Sequence, residues 1–170
     1  MTRDCYYYKT NDLNNPYCRR KMKLAEALSI RADLQRKVSQ LKARLKDSSK
    51  VQEGDTPAEQ VPDLFLELEE CLEQLEEMVY RINHTNMQTF HEGETITRMI
   101  ARKDHLTQRV SINQELLGYV METDRYGRNE IKYVRTVDVA ALRKETDNIA
   151  KQLRELDLKL QELNWTIDLL

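Results

Sequence analysis

Five groups of residues in this chain have the types that could do chemistry, and spacing decides what each group can be. The histidines are His84, His91 and His105. A di-iron bundle needs Glu-x-x-His on two helices, and none of these histidines has a Glu three positions before it. His84 and His105 fall near one end of a helical hairpin, but without a third ligand they read as ordinary polar residues. A carboxylate run, Glu67, Glu69, Glu70, Glu73, Glu76 and Glu77, has the density that helical pyrophosphatases use for Mg²⁺. Those enzymes need a second acidic pair on another helix, and helix 3 offers no such pair, so the run reads as a solvated acidic face. Cys5, Cys18 and Cys71 match no zinc spacing and read as reduced thiols, Cys71 as a small core hydrophobe. There is no Gly-rich phosphate loop, no His-Glu-x-x-His and no nucleophile elbow. The expectation is a chain with no metal, no cofactor and no catalytic residues.

Two further polar groups carry more information. Folding the chain antiparallel brings Arg31 and Asp104 to a similar height, and Glu26, Asn83, Asn86, Asn164 and Trp165 toward one bundle end. These seven residues form either a polar layer that fixes register and oligomer state or the lining of a small-ligand pocket. In the first reading Trp165 plugs the bundle end with its N–H bonded. The other group is a basic–aromatic arm, Arg125, Tyr126, Arg128, Lys132, Tyr133 and Arg135. Arg and Tyr in alternation suit a contact between subunits.

The elements that must position these residues are helices. Charged residues are 33% of the 170, aromatics 6%, with 4 Gly and 3 Pro, a composition of long helices. The first helix is predicted over Met22–Lys46 on a seam of Leu24, Leu28, Arg31, Leu34, Val38, Leu41 and Leu45. A linker from Asp47 to Pro62 follows. The second helix, Asp63–Met87, carries the seam Leu64, Leu68, Cys71, Leu75, Met78, Ile82 and a second row, Phe65, Leu72, Val79, as a helix touching two neighbours needs. A short turn at Gly93 leads to a third helix, capped by Thr95 and ending near Met121, whose seam is interrupted by Lys103 and Asn113. Ile131, Tyr133, Arg135 and Val137 then stand at period two, like a short strand or extended arm. The fourth helix, Asp138–Ile167, has the cleanest seam, from Leu142 to Ile167, with Asp138 as its cap. The fold class is therefore all-α: a long antiparallel four-helix bundle with coiled-coil-like seams and a short extended arm between helices 3 and 4.

Met1–Lys21 has little to bury and no apolar signal segment, so it reads as a disordered or loosely docked leader, with Met22 the functional start of a single 22–170 domain. No stretch is apolar for 18 residues, which predicts no transmembrane helix and a cytoplasmic chain. A net charge of -2 argues against nucleic acid as a partner. Strict seams on long helices predict a homo-oligomer.

Several segments, taken together, resemble a known family. They are Met22-Lys-Leu-Ala-Glu-Ala-Leu28, Arg31-Ala-Asp-Leu-Gln35, Arg81-Ile-Asn-His-Thr-Asn86, Asp124-Arg-Tyr126, Glu130-Ile-Lys132, Thr136-Val-Asp-Val139 and Glu162-Leu-Asn-Trp165. As a set, from Met22 to about Leu169, they are similar to small bacterial helical proteins labelled septicolysin. The resemblance implies a cytoplasmic bacterial helical protein without an established activity. The label implies a membrane-active cytolysin, for which the sequence shows neither an export signal nor a membrane segment. The expected function is a non-enzymatic, self-assembling scaffold or interaction module. The rivals are a cytolysin and a small-ligand binder or enzyme using the polar bundle end.

Overall fold

The structure, a computed structural model, describes residues 21–122 and 134–170. Among them are four α-helices: α1 (Leu24–Ser48), α2 (Val61–Gln88), α3 (Ile96–Met121) and α4 (Val139–Thr166). Between α2 and α3 lies a hairpin of β1 (Phe90–His91) and β2 (Glu94–Thr95). The all-α class and the four long helices are those read from the sequence. The chain divides into two compact units, one of residues up to Ile82 plus Thr166–Leu170, the other Asn83–Trp165.

In the first unit, α1 and α2 run antiparallel. The buried centre is Leu41, Leu64 and Cys71, with Leu34, Val38, Leu45 and Leu68 packed against it. The Cys71 thiol donates to the Leu34 carbonyl at 3.6 Å, and burial pushes its pKa up. α1 begins without a side-chain cap. One of its exposed backbone donors is instead met from the far end of the chain, Leu24 N donating to Ile167 O at 2.9 Å, while the Met22 carbonyl before the helix accepts from Leu169 N at 2.7 Å. Lys23 and Asp168 pair as an isolated antiparallel bridge, and their side chains form an ion pair at 2.8 Å. Arg81 of α2 donates to the Leu170 backbone oxygen at 3.0 Å. The start of α1 and the chain's last residues thus form one clasp. α2 begins at Val61 and not, as its prolines suggested, after Pro62. Proline is tolerated in a first turn because its missing N–H would have no intrahelical partner there.

In the second unit, the predicted turn at Gly93 proves to be a two-residue hairpin with Phe90 opposite Thr95 and His91 opposite Glu94. Glu92 (φ 50°) and Gly93 (φ 85°) both have positive φ, the geometry of a type I′ turn, whose twist matches that of the strands. Thr95 caps α3, its hydroxyl accepting from Arg98 N at 3.2 Å. Asp138 caps α4, accepting from the backbone of Ala140 and Ala141 at 2.9 and 3.0 Å. α3 and α4 run antiparallel, their register marked by Lys103–Asp157 and Arg109–Glu145 ion pairs and by Arg143 against the Met121 sulfur.

Of the second row of α2, Phe65 and Leu72 are exposed and Val79 is half-buried among the described residues. The period-two segment falls mostly on residues 123–133, outside the described residues, and 134–138 carries no strand.

Leu41 is fully buried at the centre of the first unit's core. Leu41→Ala is expected to lower unfolding free energy by about 2–5 kcal/mol, measured by urea denaturation. A loss under about 1 kcal/mol would show that α1 and α2 do not depend on this contact.

Candidate functional site

The seven predicted layer residues do not share one environment. Glu26 and Arg31 belong to the first unit, and Asn83, Asn86, Asp104, Asn164 and Trp165 to the second. Glu26, Asn83 and Asp104 are exposed, Arg31 and Asn164 half-buried, and Asn86 buried. Arg31 and Asp104 thus lie in different units, and Asp104 is exposed. Trp165 is 70% exposed, so it does not plug a bundle end. The reason is rotational: Trp165 and Leu158, seven residues apart, share a row on the side of α4 away from Leu160 and Leu163. Arg31 and Asn86 each keep one buried polar atom, Nε and Oδ1, without a hydrogen-bond partner. Of the basic–aromatic arm, only Arg135 lies within the described residues, and it is exposed. Arg125, Tyr126, Arg128, Lys132 and Tyr133 lie outside them.

Polar residues do form a layer, but between α3 and α4. The register set by Lys103–Asp157 and Arg109–Glu145 places Asn113 level with Thr146. Both are buried, each 6% exposed. Thr146 spends its hydroxyl on the Leu142 carbonyl at 2.7 Å, and Asn113 Nδ2 has no partner. The sequence showed Asn113 and Lys103 only as gaps in an apolar seam. Each gap proves to have a polar residue at its level on α4. Their signal was available in the seam register of α3 against α4.

Charge along α1 and α2 is arranged as pairs. An open groove lined by Asp33, Arg36, Lys37, Gln40, Arg44 and Glu67 runs over Leu41. Arg36 pairs with Asp33, Lys37 with Glu67 at 3.1 Å, and Arg44 with Glu59 and, at 3.3 Å, with Glu67. The hydrogen bonds that Arg44 donates to Glu59 hold the Arg44 proton more tightly and lower the Glu59 pKa. With its cations already matched to carboxylates, the groove has no free charge to offer an anion. Among the described residues no group of three or more His, Cys, Asp or Glu is placed to hold a metal ion.

The remaining feature is apolar surface. α3 exposes Ile112 (59%) and Tyr119 (74%), with Leu116 between them, at the i, i+4, i+7 spacing of one helical stripe. α2 exposes Phe65, Leu66, Leu72 and Tyr80, and α4 exposes Leu158 and Trp165. No helix among the described residues is long and apolar enough to cross a membrane.

Lys103 donates to Asp157 and holds its carboxyl below the ordinary value of 3.8, against the opposing effect of burial. A depressed folded pKa contributes stability that is present above the unfolded value and is lost as pH falls through the folded one. Asp157→Asn is therefore expected to flatten the acid limb of stability against pH below about 4. An unchanged acid limb in pH-dependent thermal melts would count against the pair. Asn113→Leu, which removes an unpartnered buried amide, should raise stability by about 1–2 kcal/mol. A loss of that size would mean that the amide is satisfied in solution.

Comparison with known proteins gives three results. A model of a family described as a family of unknown function, DUF6847, matches residues 31–169. No curated protein matches the chain. A crystal structure of a functionally unknown conserved protein from Corynebacterium diphtheriae is similar, with 42% sequence identity and a TM-score of 0.82 over 89% of this chain and 100% of that one.

Proposed function

This chain belongs to the DUF6847 family, and we propose that within that frame it works as a self-associating, non-enzymatic interaction module. The observation that supports this is the set of apolar rows left uncovered on helices otherwise rich in charge. Ile112, Leu116 and Tyr119 make one such row, and Phe65, Leu72 and Tyr80 another. Single exposed apolar residues are ordinary, but rows at helical spacing form contiguous patches, and soluble monomers expose few of these. A helix with apolar residues on two sides needs two neighbours. Among the described residues α2 has one covered side and one exposed side, and a second copy is the simplest cover. The matched charges of the α1–α2 groove support a role in binding surfaces over one in small-molecule chemistry.

Light scattering behind size exclusion on the full chain tests this reading. The expected result is a discrete oligomer, with Ile112→Ser plus Tyr119→Ser reducing it toward the single-chain mass at unchanged helical circular dichroism. A wild-type monomer at all accessible concentrations would sink the proposal. Release of dye from liposomes would then favour the cytolytic reading, and a rise in melting temperature with a metabolite would favour the ligand-binding one.

A further inference from the structure

The outer face of α2 has a composition that its inner face does not explain. At about 100° per residue, Phe65, Glu69, Leu72, Glu73, Glu76 and Tyr80 fall within one sector of about 100°. That sector lies away from the buried Leu64, Cys71 and Met78. All six are exposed, Phe65 by 57% and Tyr80 by 64%. From Val61 to Tyr80 the helix carries no Lys or Arg. Glu69, Glu70, Glu73, Glu76 and Glu77 form no ion pair with any described residue, whereas Glu67, on the α1 side, pairs with Lys37 and Arg44. Glu73 also stands three or four residues from Glu69, Glu70, Glu76 and Glu77, a spacing at which like charges destabilise a helix. The face therefore combines an uncovered apolar row with uncompensated negative charge.

One segment of the same chain has the complementary composition. Arg125, Arg128, Lys132 and Arg135 supply four cations, with Tyr126, Ile131 and Tyr133 among them. The stripe from Phe65 to Tyr80 is about 22 Å long at 1.5 Å per residue. A stretch of ten residues can reach about 33 Å, enough to follow it.

We propose that the outer face of α2, Phe65, Glu69, Leu72, Glu73, Glu76 and Tyr80, is the docking surface for the Arg125–Arg135 segment of a second copy of this chain. This rests on the self-association reading and names its surfaces. In a two-fold pair each copy gives one face and one segment, so the same contact is made twice. The carboxylates attract the Arg and Lys side chains, and the tyrosines cover Phe65 and Leu72. The segment's four cations, with Glu130 the one carboxylate among them, meet the face's three carboxylates, Glu69, Glu73 and Glu76, which offsets the like-charge repulsion along α2.

Reciprocal charge reversal tests it. One variant carries Glu69→Lys, Glu73→Lys and Glu76→Lys; the other carries Arg125→Glu, Arg128→Glu and Lys132→Glu. Each alone is expected to run at single-chain mass with wild-type helicity. An equimolar mixture should regain the wild-type mass, because each variant's segment then meets a face of opposite charge. Wild-type mass in either variant alone overturns the proposal, as does a mixture that stays at single-chain mass. If a variant fails to fold, salt dependence of the wild-type assembly decides: dissociation constants should rise at least tenfold from 0.05 to 0.5 M NaCl, as screening of exposed charges requires, and a salt-independent constant refutes the contact. Loss of assembly in Ile112→Ser plus Tyr119→Ser, with both reversed variants still assembled, would remove this surface and leave self-association standing. A monomeric wild type would remove both.

Discussion

A helix buries only the stripe that it turns toward a neighbour, and the rest of this chain's behaviour depends on how few neighbours each helix has. α1 and α2 cover one another along Leu41, Leu64 and Cys71. α3 and α4 are held in register by salt links. Burial on one side leaves the other side to be either charged or sticky. In α2 it is both, with Phe65 and Tyr80 set among carboxylates.

The distinction between stabilising and specifying residues follows from this economy. Leucine seams supply the favourable transfer of apolar surface, and any antiparallel alignment of such seams would supply nearly as much. Lys103 opposite Asp157 and Arg109 opposite Glu145 penalise the other alignments, because a slipped register parts each cation from its carboxylate. The polar pairs are thus worth more for choosing the alignment than for holding it. The same holds for Arg44, which bridges Glu59 in the linker and Glu67 on α2 at the half-exposed edge of the groove.

The helices and their caps were legible in the sequence because they are local. A seam at three- and four-residue spacing, a Thr before Ile96 and an Asp before Val139 state an element's existence and its ends without reference to anything distant. The hairpin was legible only as a turn, since two residues per strand leave no period to detect. The candidate site was less legible. Height along a bundle can be estimated by counting residues, and it placed Asn164 and Trp165 toward one end. Height says nothing of rotation about the helix axis. Trp165 therefore faces solvent and Asp104 lies exposed, although both stand at sensible levels. The second row of α2 was visible as a pattern, but a pattern of apolar residues does not say whether its cover comes from the same chain.

The clasp between residues 22–24 and 167–169 has a mechanical consequence. Its two backbone bonds, Leu169 N to Met22 O and Leu24 N to Ile167 O, lie one behind the other in an antiparallel bridge, with Met22 and Leu169 at the same end. A tension applied between Met22 and Leu169 loads the Met22 bond first, then the Lys23–Asp168 pair, then the Leu24 bond, as a zip and not as a shear. The fold would yield there at low force, one link at a time, releasing the uncapped first turn of α1 before strain reached the Leu41 core.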